Sequence, residues 1–535
     1  MTKPNTTATG NTGAFVKQAG IIAASMLIGR VLGFLYRLPL TGLLGDEGNA
    51  WYASGYYVYT VVLLITAGAL IPAVSKLVSE RIALEQPRNA HCMFHTALKV
   101  STVMGILAAL GMWFGARMIA GWMHSPQSFY AIRALAPAMV LLGPLGAFRG
   151  YFMGRKNAFP MAVSQVGEQI FNVGFSLILA FLFFDAERLH RSVAGASAGT
   201  SVGVLVGLAV LIFLYSLVRR DYERQMVKDL ASPVETERQQ AKLLLAIAAP
   251  ITLGMVMLSM TTPLDIRMAN TRLVYSGVFN LFEIDELVGQ FTGKYLLLTG
   301  LPVAIAGALS LAVIPGISAA HTVHDKKAVR DSVNMALRLA MLISIPAAVG
   351  LAVLADPILA LLFPSFPDGG FMLVWGAVCV VFMAINQVLT AALQGVGKPF
   401  MPVIAAAVGL LVKVPINYYL MAVPEINILG AVISTVVCFI VAAGLNIFFL
   451  YRTEGLMPRF GEAMGKPAVA ATFMGAVCFI LHAMLVIALP GRVATVFTLV
   501  VGVLVYLTVL MLIRGLRSED AELLPLPARW KKRIF

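Results

Sequence analysis

Between Phe15 and Arg514 the sequence passes through long apolar runs, one after another, most of them about 20 residues long. A helix of that length crosses the ~30 Å hydrocarbon core of a bilayer. The runs are continuous in apolarity and do not alternate, which argues for helices and against a barrel. Composition agrees, since 59% of the residues are hydrophobic and 12% charged, about half the ~25% charge content of a soluble protein. The chain therefore reads as an all-α polytopic membrane protein. Its first fourteen residues are polar and rich in Thr and Asn, and read as a flexible cytoplasmic tail and not a signal peptide.

Fourteen candidate spans follow, near 15–38, 50–76, 93–122, 127–149, 159–184, 192–218, 242–264, 288–317, 330–354, 370–394, 400–422, 427–450, 466–489 and 492–514. The segment 265–287 is polar and amphipathic, and reads as a loop or an interfacial helix. Loop charge sets the orientation. The termini and the loops on their side hold 27 of the 40 Lys and Arg residues, and the opposite loops hold six. The positive-inside rule then places both termini in the cytoplasm of a multi-pass inner or plasma membrane protein. The same distribution explains the net charge of +14 without a nucleic-acid partner. Cys92, Cys379, Cys438 and Cys478 lie far apart and form no disulfide or zinc framework.

A repeat is visible inside this pattern. Span two ends in Ala69-Leu-Ile-Pro72-Ala-Val-Ser75 and span eight in Ala312-Val-Ile-Pro315-Gly-Ile-Ser318, an offset of 243. Span five opens at Lys156-Asn-Ala-Phe-Pro160 and span eleven at Lys398-Pro-Phe-Met-Pro402, an offset of 242. Two matches at nearly one offset predict two six-helix lobes in pseudo-twofold repeat, with two extra C-terminal helices. The expected layout is a tail at 1–14, an N-lobe at 15–218, a linker at 219–241, a C-lobe at 242–450, the added pair at 451–514 and a basic tail at 515–535. Transporters built this way hold their substrate between the halves.

Seven cations remain outside the loop count: Arg30, Arg37, Lys99, Arg133, Lys294, Arg338 and Lys413. One central arginine costs roughly 2.5–3.5 kcal/mol to insert. Lys99 and Arg338 lie near span ends and can snorkel. Arg30 and Arg37 are seven residues apart, which on a helix puts them within about 20° of one face. The clear acidic counterpart is Glu168, with Gln165 and Asn172 on the same face. A cationic cavity lined by Arg30 and Arg37, with Lys294, Lys413 and Arg133 adding to the field, suits an anionic group, and Arg in particular grips phosphate in a fork. His91 and His95 stand at i, i+4 without a third ligand, so no metal is expected. Gly289-Gln-Phe-Thr-Gly293-Lys294 is too short for a phosphate loop. No cofactor motif and no catalytic constellation is present, so the expectation is a transporter and not an enzyme.

The run Arg30-Val-Leu-Gly-Phe34, the Ile-Pro-Ala-Val-Ser end of span two, and Arg149-Gly-Tyr-Phe-Met-Gly154 followed by Pro160 and Ser164-Gln165-Val-Gly-Glu168-Gln together resemble the flippase branch of the MOP exporter superfamily. The likeness is to the stage V sporulation protein B, YtgP and MurJ group, and covers essentially the whole chain. It implies two six-helix lobes in a V, alternating access, and lipid II, a peptidoglycan precursor on an undecaprenyl diphosphate carrier. It matches Arg30 to the arginine of the Arg-Val-Leu-Gly-Phe motif and gives Arg37 the role of a second arginine, with Leu38 standing where the group carries an acid. It places Lys294 near a basic residue of span eight, and gives spans thirteen and fourteen a part in holding the prenyl tail. The implied partner is a lipid-linked anionic substrate, handled by a monomer, with coupling to membrane potential or ions. Two alternatives stay open: a flippase for another lipid-linked oligosaccharide, and a cation-coupled drug antiporter of the same superfamily.

Overall fold

The computed structural model of the chain describes residues 7–227 and 235–515. Residues 1–6 of the expected tail, 228–234 of the expected linker and 516–535 of the expected basic tail lie outside the described residues. The described chain is helical throughout, in two compact units, Met1–Asn270 and Thr271–Phe535. Among the described residues, twelve helical stretches are long and apolar enough to cross a membrane, or thirteen with one bent pair.

The first unit begins with α1 (Thr7–Leu63), which starts inside the expected tail and contains Pro39 and a break at Gly45. Gly45 has φ 65°, a left-handed value that glycine adopts without a Cβ clash. Arg37 and Asn49 touch across this break at 3.1 Å, whereas twelve residues of straight helix would hold them ~18 Å apart. The chain therefore turns back at Gly45. A π-helical turn (Leu64–Gly68) leads into α2 (Leu70–Ala83), then α3 (Pro87–Trp122), α4 (Ser128–Gly154), α5 (Phe159–Leu182), α6 (Leu189–Val227) and α7 (Glu237–Ser259). Thr236 starts α7 with a capping box to Gln239, which satisfies the first free N–H groups.

Glycines set the closest helix pair. Gly195, Gly199, Gly203 and Gly207 recur every four residues on α6. A Cβ at these positions would run into Leu179, Ser176, Asn172 and Glu168 of α5 respectively. Small residues at this spacing let two membrane helices approach along their backbones. The ladder thus fixes the height and rotation of the α5 face that carries Glu168 and Asn172.

The polar segment near 265–287 is helical in two pieces, α8 (Thr261–Tyr275) and α9 (Leu281–Gln290), with Asn280 and Glu283 forming a capping box at the start of α9. In the second unit, α9 passes through a second π turn (Phe291–Tyr295) into α10 (Leu296–Thr322). Then follow α11 (Lys326–Val353), α12 (Ala355–Leu362), α13 (Gly370–Gly376), α14 (Cys379–Gly395), α15 (Phe400–Leu420), α16 (Leu429–Glu454), α17 (Phe460–Ala488) and α18 (Gly491–Leu512). Span ten of the sequence reading is the bent pair α13 and α14, turned by 51° at its break. A Cβ on Gly376 would meet the Tyr295 ring and Val432, so the break sits in tight packing. The Tyr506 hydroxyl of α18 donates to the Leu342 carbonyl of α11 at 2.9 Å, tying the C-terminal helix to the unit.

Gly199→Val tests the ladder. Its Cβ would stand 2.3 Å from the Ser176 backbone nitrogen, so the substitution should cost about 1–3 kcal/mol through overpacking. Thermal unfolding of the purified protein reads this, and an unchanged midpoint would refute the assigned role.

Candidate substrate-binding site

Arg37 sits on the first arm of α1, eight residues before the break at Gly45, and is half-buried. The turn at Gly45 brings the second arm back beside it. Its Nη1 donates to Asn49 Oδ1 at 3.1 Å, and its guanidinium carbon lies 4.6 Å above the Tyr52 ring and 5.6 Å from that of Tyr56. Tyr36 and Tyr52 share a 2.7 Å hydrogen bond that locks the wall. An aromatic face attracts a cation through its quadrupole without cancelling its charge. Among the described residues no carboxylate comes within ion-pairing distance of Arg37, and its partners are the Asn49 amide and the two tyrosine faces.

Arg30, two turns earlier on the same helix, is exposed and makes no hydrogen bond or ion pair among the described residues. Nearby, α1 packs on α5: Ser25 donates to Gln165 Oε1 at 3.5 Å, and a Cβ on Gly33 would meet Gln169. Asn172 accepts from Ser176 at 3.0 Å. Arg133 lies elsewhere on this unit, exposed, with its guanidinium carbon 4.3 Å from the Trp113 ring and 5.7 Å from that of Phe129.

Glu168 corrects the sequence reading. Arg149, at the expected end of span four and one of the 27 cations assigned to the termini's side, is not a loop charge: α4 runs on to Gly154 and buries it. Its Nη2 donates to Glu168 Oε2 at 2.6 Å and to Ser164 Oγ at 3.0 Å. The carboxylate that seemed to face the arginines of span one is thus neutralised by an arginine of span four. The same helix extension would have been visible in the apolar Ala147-Phe148 and Tyr151-Phe152 flanks of Arg149.

The cations of the second unit are enclosed. Lys294 lies in the π turn, 1% exposed, and donates to the Asp368 carbonyl at 2.9 Å. Lys413 on α15 is 3% exposed, with Asn417 buried one turn on. Arg338 is buried as well and lines a polar pocket with Asp331, Asn334, Arg459 and Glu462. The start of α17 covers it there, where the Arg459 backbone N–H donates to Asn334 Oδ1 at 2.9 Å. Lys99 does reach the surface, 2.6 Å from Glu237. His91 and His95 face each other at 2.9 Å between their Nε2 atoms.

The structure therefore unites Arg37 with residues that sequence reasoning missed. Asn49, Tyr52 and Tyr56 stand at i, i+3 and i+7 in Asn49-Ala-Trp-Tyr52-Ala-Ser-Gly-Tyr56. That spacing marks one polar, aromatic helix face, and was the available signal.

The family model described as lipid II flippase MurJ matches residues 69–510. The chain belongs to the lipid II flippase MurJ family. A membrane protein of Bacillus subtilis called uncharacterized, YabM, is 27% identical over 464 residues, covering 85% of each chain. The lipid II flippase MurJ of the same organism is 24% identical over 451 residues, 81% of this chain and 82% of that one. A solved structure described as lipid II flippase MurJ in an inward closed conformation superposes with a TM-score of 0.68 at 16% identity, over 92% of this chain and 98% of that one. MurJ-family proteins are transporters and not enzymes, which places this chain in the same class.

Within a MurJ-family first unit, the Arg149–Glu168 pair makes a distinct prediction. Arg149→Met leaves a carboxylate half enclosed and uncompensated, and should cost about 3 kcal/mol, while the double variant Arg149→Met/Glu168→Leu should recover most of that loss. Unfolding of the single and double variants decides it, and a double variant no more stable than Arg149→Met would contradict the pairing.

Proposed function

We propose that the chain flips lipid II, an undecaprenyl-diphosphate-linked peptidoglycan precursor, from the inner to the outer leaflet of the plasma membrane by alternating access. Family membership supports the substrate class. The single observation that carries the reading is Arg37, a cation held by an amide and two tyrosine faces with no carboxylate in ion-pairing distance among the described residues. A guanidinium kept this way offers its remaining N–H groups to a diphosphate oxygen. Arg30 lies two turns along the same helix and would meet the approaching headgroup. Gln165 and Asn172, with the neutralised Glu168, give a polar wall suited to sugar hydroxyls. Lys294, Lys413 and Arg133 contribute through their field.

The proposed topology has both termini in the cytoplasm and fourteen spans: two six-helix halves at 15–218 and 242–450, with the added pair at 451–514. The count is supported by the first apolar stretch, Leu27–Ala83. Its 57 residues would reach ~85 Å if straight, nearly three times the ~30 Å core, and the chain turns back within it at Gly45. Counted as two spans, it raises thirteen to fourteen. The protein works as a monomer, and spans thirteen and fourteen help hold the prenyl tail in the bilayer while the headgroup crosses. No bond is made or broken.

Two negative charges leaving an inside-negative cytoplasm across the full field release roughly 4.6 kcal/mol per 100 mV, which biases the cycle outward. An antiporter for cations would use carboxylates inside the lobes, and Glu168, the candidate that the sequence offers for that part, is committed to Arg149. The diphosphate is common to other undecaprenyl-linked saccharides, so depletion of the protein identifies the headgroup: lipid II should build up on the inner leaflet, and accumulation of a different saccharide would reassign it.

Arg37→Ala should lower flipping in proteoliposomes by at least about tenfold, the worth of a lost charge-assisted hydrogen bond, with Arg37→Lys retaining part of it. Arg30→Ala should fail to sustain growth of a flippase-depleted strain at normal protein level. The wild-type rate should rise between zero and about 100 mV. Full activity of both arginine variants would refute the site, and equal rates at the two potentials would refute the coupling.

A further inference from the structure

Outside the proposed substrate site, the first unit has an apolar crevice of about 460 Å³, within the ~300–1,000 Å³ range of ligand sites. One wall is the first π turn and the start of α2, with Ile65 and Leu70. A second is α3, with Val100 and Met104. The third is α7, whose Leu245, Ala249, Thr252 and Val256 line it. The π turn widens the helix locally, and Gly68 leaves room there, since a Cβ would already touch Leu64 and reach Met255 at 3.5 Å.

The α7 wall continues past the crevice. Arg238, Lys242, Leu245, Ala249, Thr252 and Val256 are spaced by four, three, four, three and four residues, which keeps all six within about 40° of one line on the helix. The stripe is cationic at one end and uncharged along the rest. Both cations are exposed, and among the described residues neither carries an ion pair. Their neighbours at this end are already committed: Lys99 to Glu237 at 2.6 Å, Arg81 to Glu235 at 2.5 Å, and Lys76 to Glu80 at 3.8 Å. The uncharged part, Leu245 to Val256, is ~16 Å long, about half of the ~30 Å hydrocarbon core.

We infer that this crevice is a binding site for an anionic diacyl phospholipid of the bilayer, distinct from the transported substrate. Its phosphate sits on Arg238 and Lys242, and one acyl chain lies along the α7 stripe between the π turn and α3. Charge selects the occupant: two cations on the continuation of the α7 stripe, without an ion pair among the described residues, favour an anionic headgroup over a zwitterionic one. Length selects it too, since the slot accommodates one leaflet of hydrocarbon, and a tail of undecaprenyl length outruns it. Because α7 is clasped by such a lipid against α2 and α3, the leaflet becomes part of the first unit's packing. This inference rests on the chain's membrane location and not on its substrate, so it survives if the proposed headgroup is wrong.

The test uses the purified full chain in nanodiscs with phosphatidylglycerol or phosphatidylcholine of the same acyl chains, each carrying a photoreactive group in one chain. Labelled peptides should map to 245–256, with phosphatidylglycerol labelling at least about tenfold stronger, as two surface cations imply. Arg238→Gln/Lys242→Gln should bring the two lipids within about twofold of each other, and needs no repacking because both side chains are exposed. Ala249→Trp should remove labelling by either lipid. Equal labelling in the wild type, an unchanged preference in the double variant, or labelling displaced by undecaprenyl phosphate and not by unlabelled phosphatidylglycerol would each overturn the inference.

Discussion

A positive charge placed in a bilayer has to be satisfied, and the ways this chain satisfies its intramembrane cations organise the rest of the structure. Leaving an arginine at the centre of a span costs roughly 2.5–3.5 kcal/mol. Arg149 is held by the Glu168 carboxylate, Lys294 by a backbone carbonyl in a helix gap, and Arg133 by an indole face. Arg37 combines an amide partner with two aromatic faces. Its amide and tyrosine partners lower the cost of enclosing it while leaving its charge uncancelled. A cation kept in that condition still attracts an anion, whereas an ion pair such as Arg149–Glu168 is a strut.

The scaffold follows from that division. The turn at Gly45 is needed because Arg37 and its cage lie on opposite arms of α1. The glycine ladder of α6 is needed because the strut and the polar face of α5 must be set at one height. In the second unit, the π turn carrying Lys294 and the break between α13 and α14 occur in the same packed region, where Tyr295 donates to the Gly376 carbonyl at 3.2 Å. Irregular backbone of this sort is tolerated at membrane depth only where protein covers it, and its hydrogen bonds are completed by side chains.

Much of the fold was legible in the sequence because membrane helices are written in long unbroken apolar runs. The segments that escaped were those where hydropathy has no voice. Arg149 reads as a loop charge because the apolar run ends at it, yet its half-buried partner Glu168 lies nineteen residues further on in another helix. The helices within 265–287 are defined by caps such as Asn280 with Glu283, not by apolarity. At the site, the two arginines of span one were readable as charges out of place, and their shared face followed from helical period. What period could not supply was that Arg37 is enclosed while Arg30 is exposed, or that Tyr52 and Tyr56 come back to meet Arg37. That depends on a single glycine reversing the chain. The lysines of span eight and span eleven were readable as cations, but not as buried ones.

The central claim is that Arg37 holds its charge for the phosphates of a lipid. Equilibrium binding of undecaprenyl diphosphate, without any saccharide, to the purified wild type and to Arg37→Gln in nanodiscs tests it most directly. The account predicts saturable binding by the wild type that weakens at least about tenfold in the variant and falls with added salt. Equal affinity of the two proteins for the bare diphosphate lipid would contradict it.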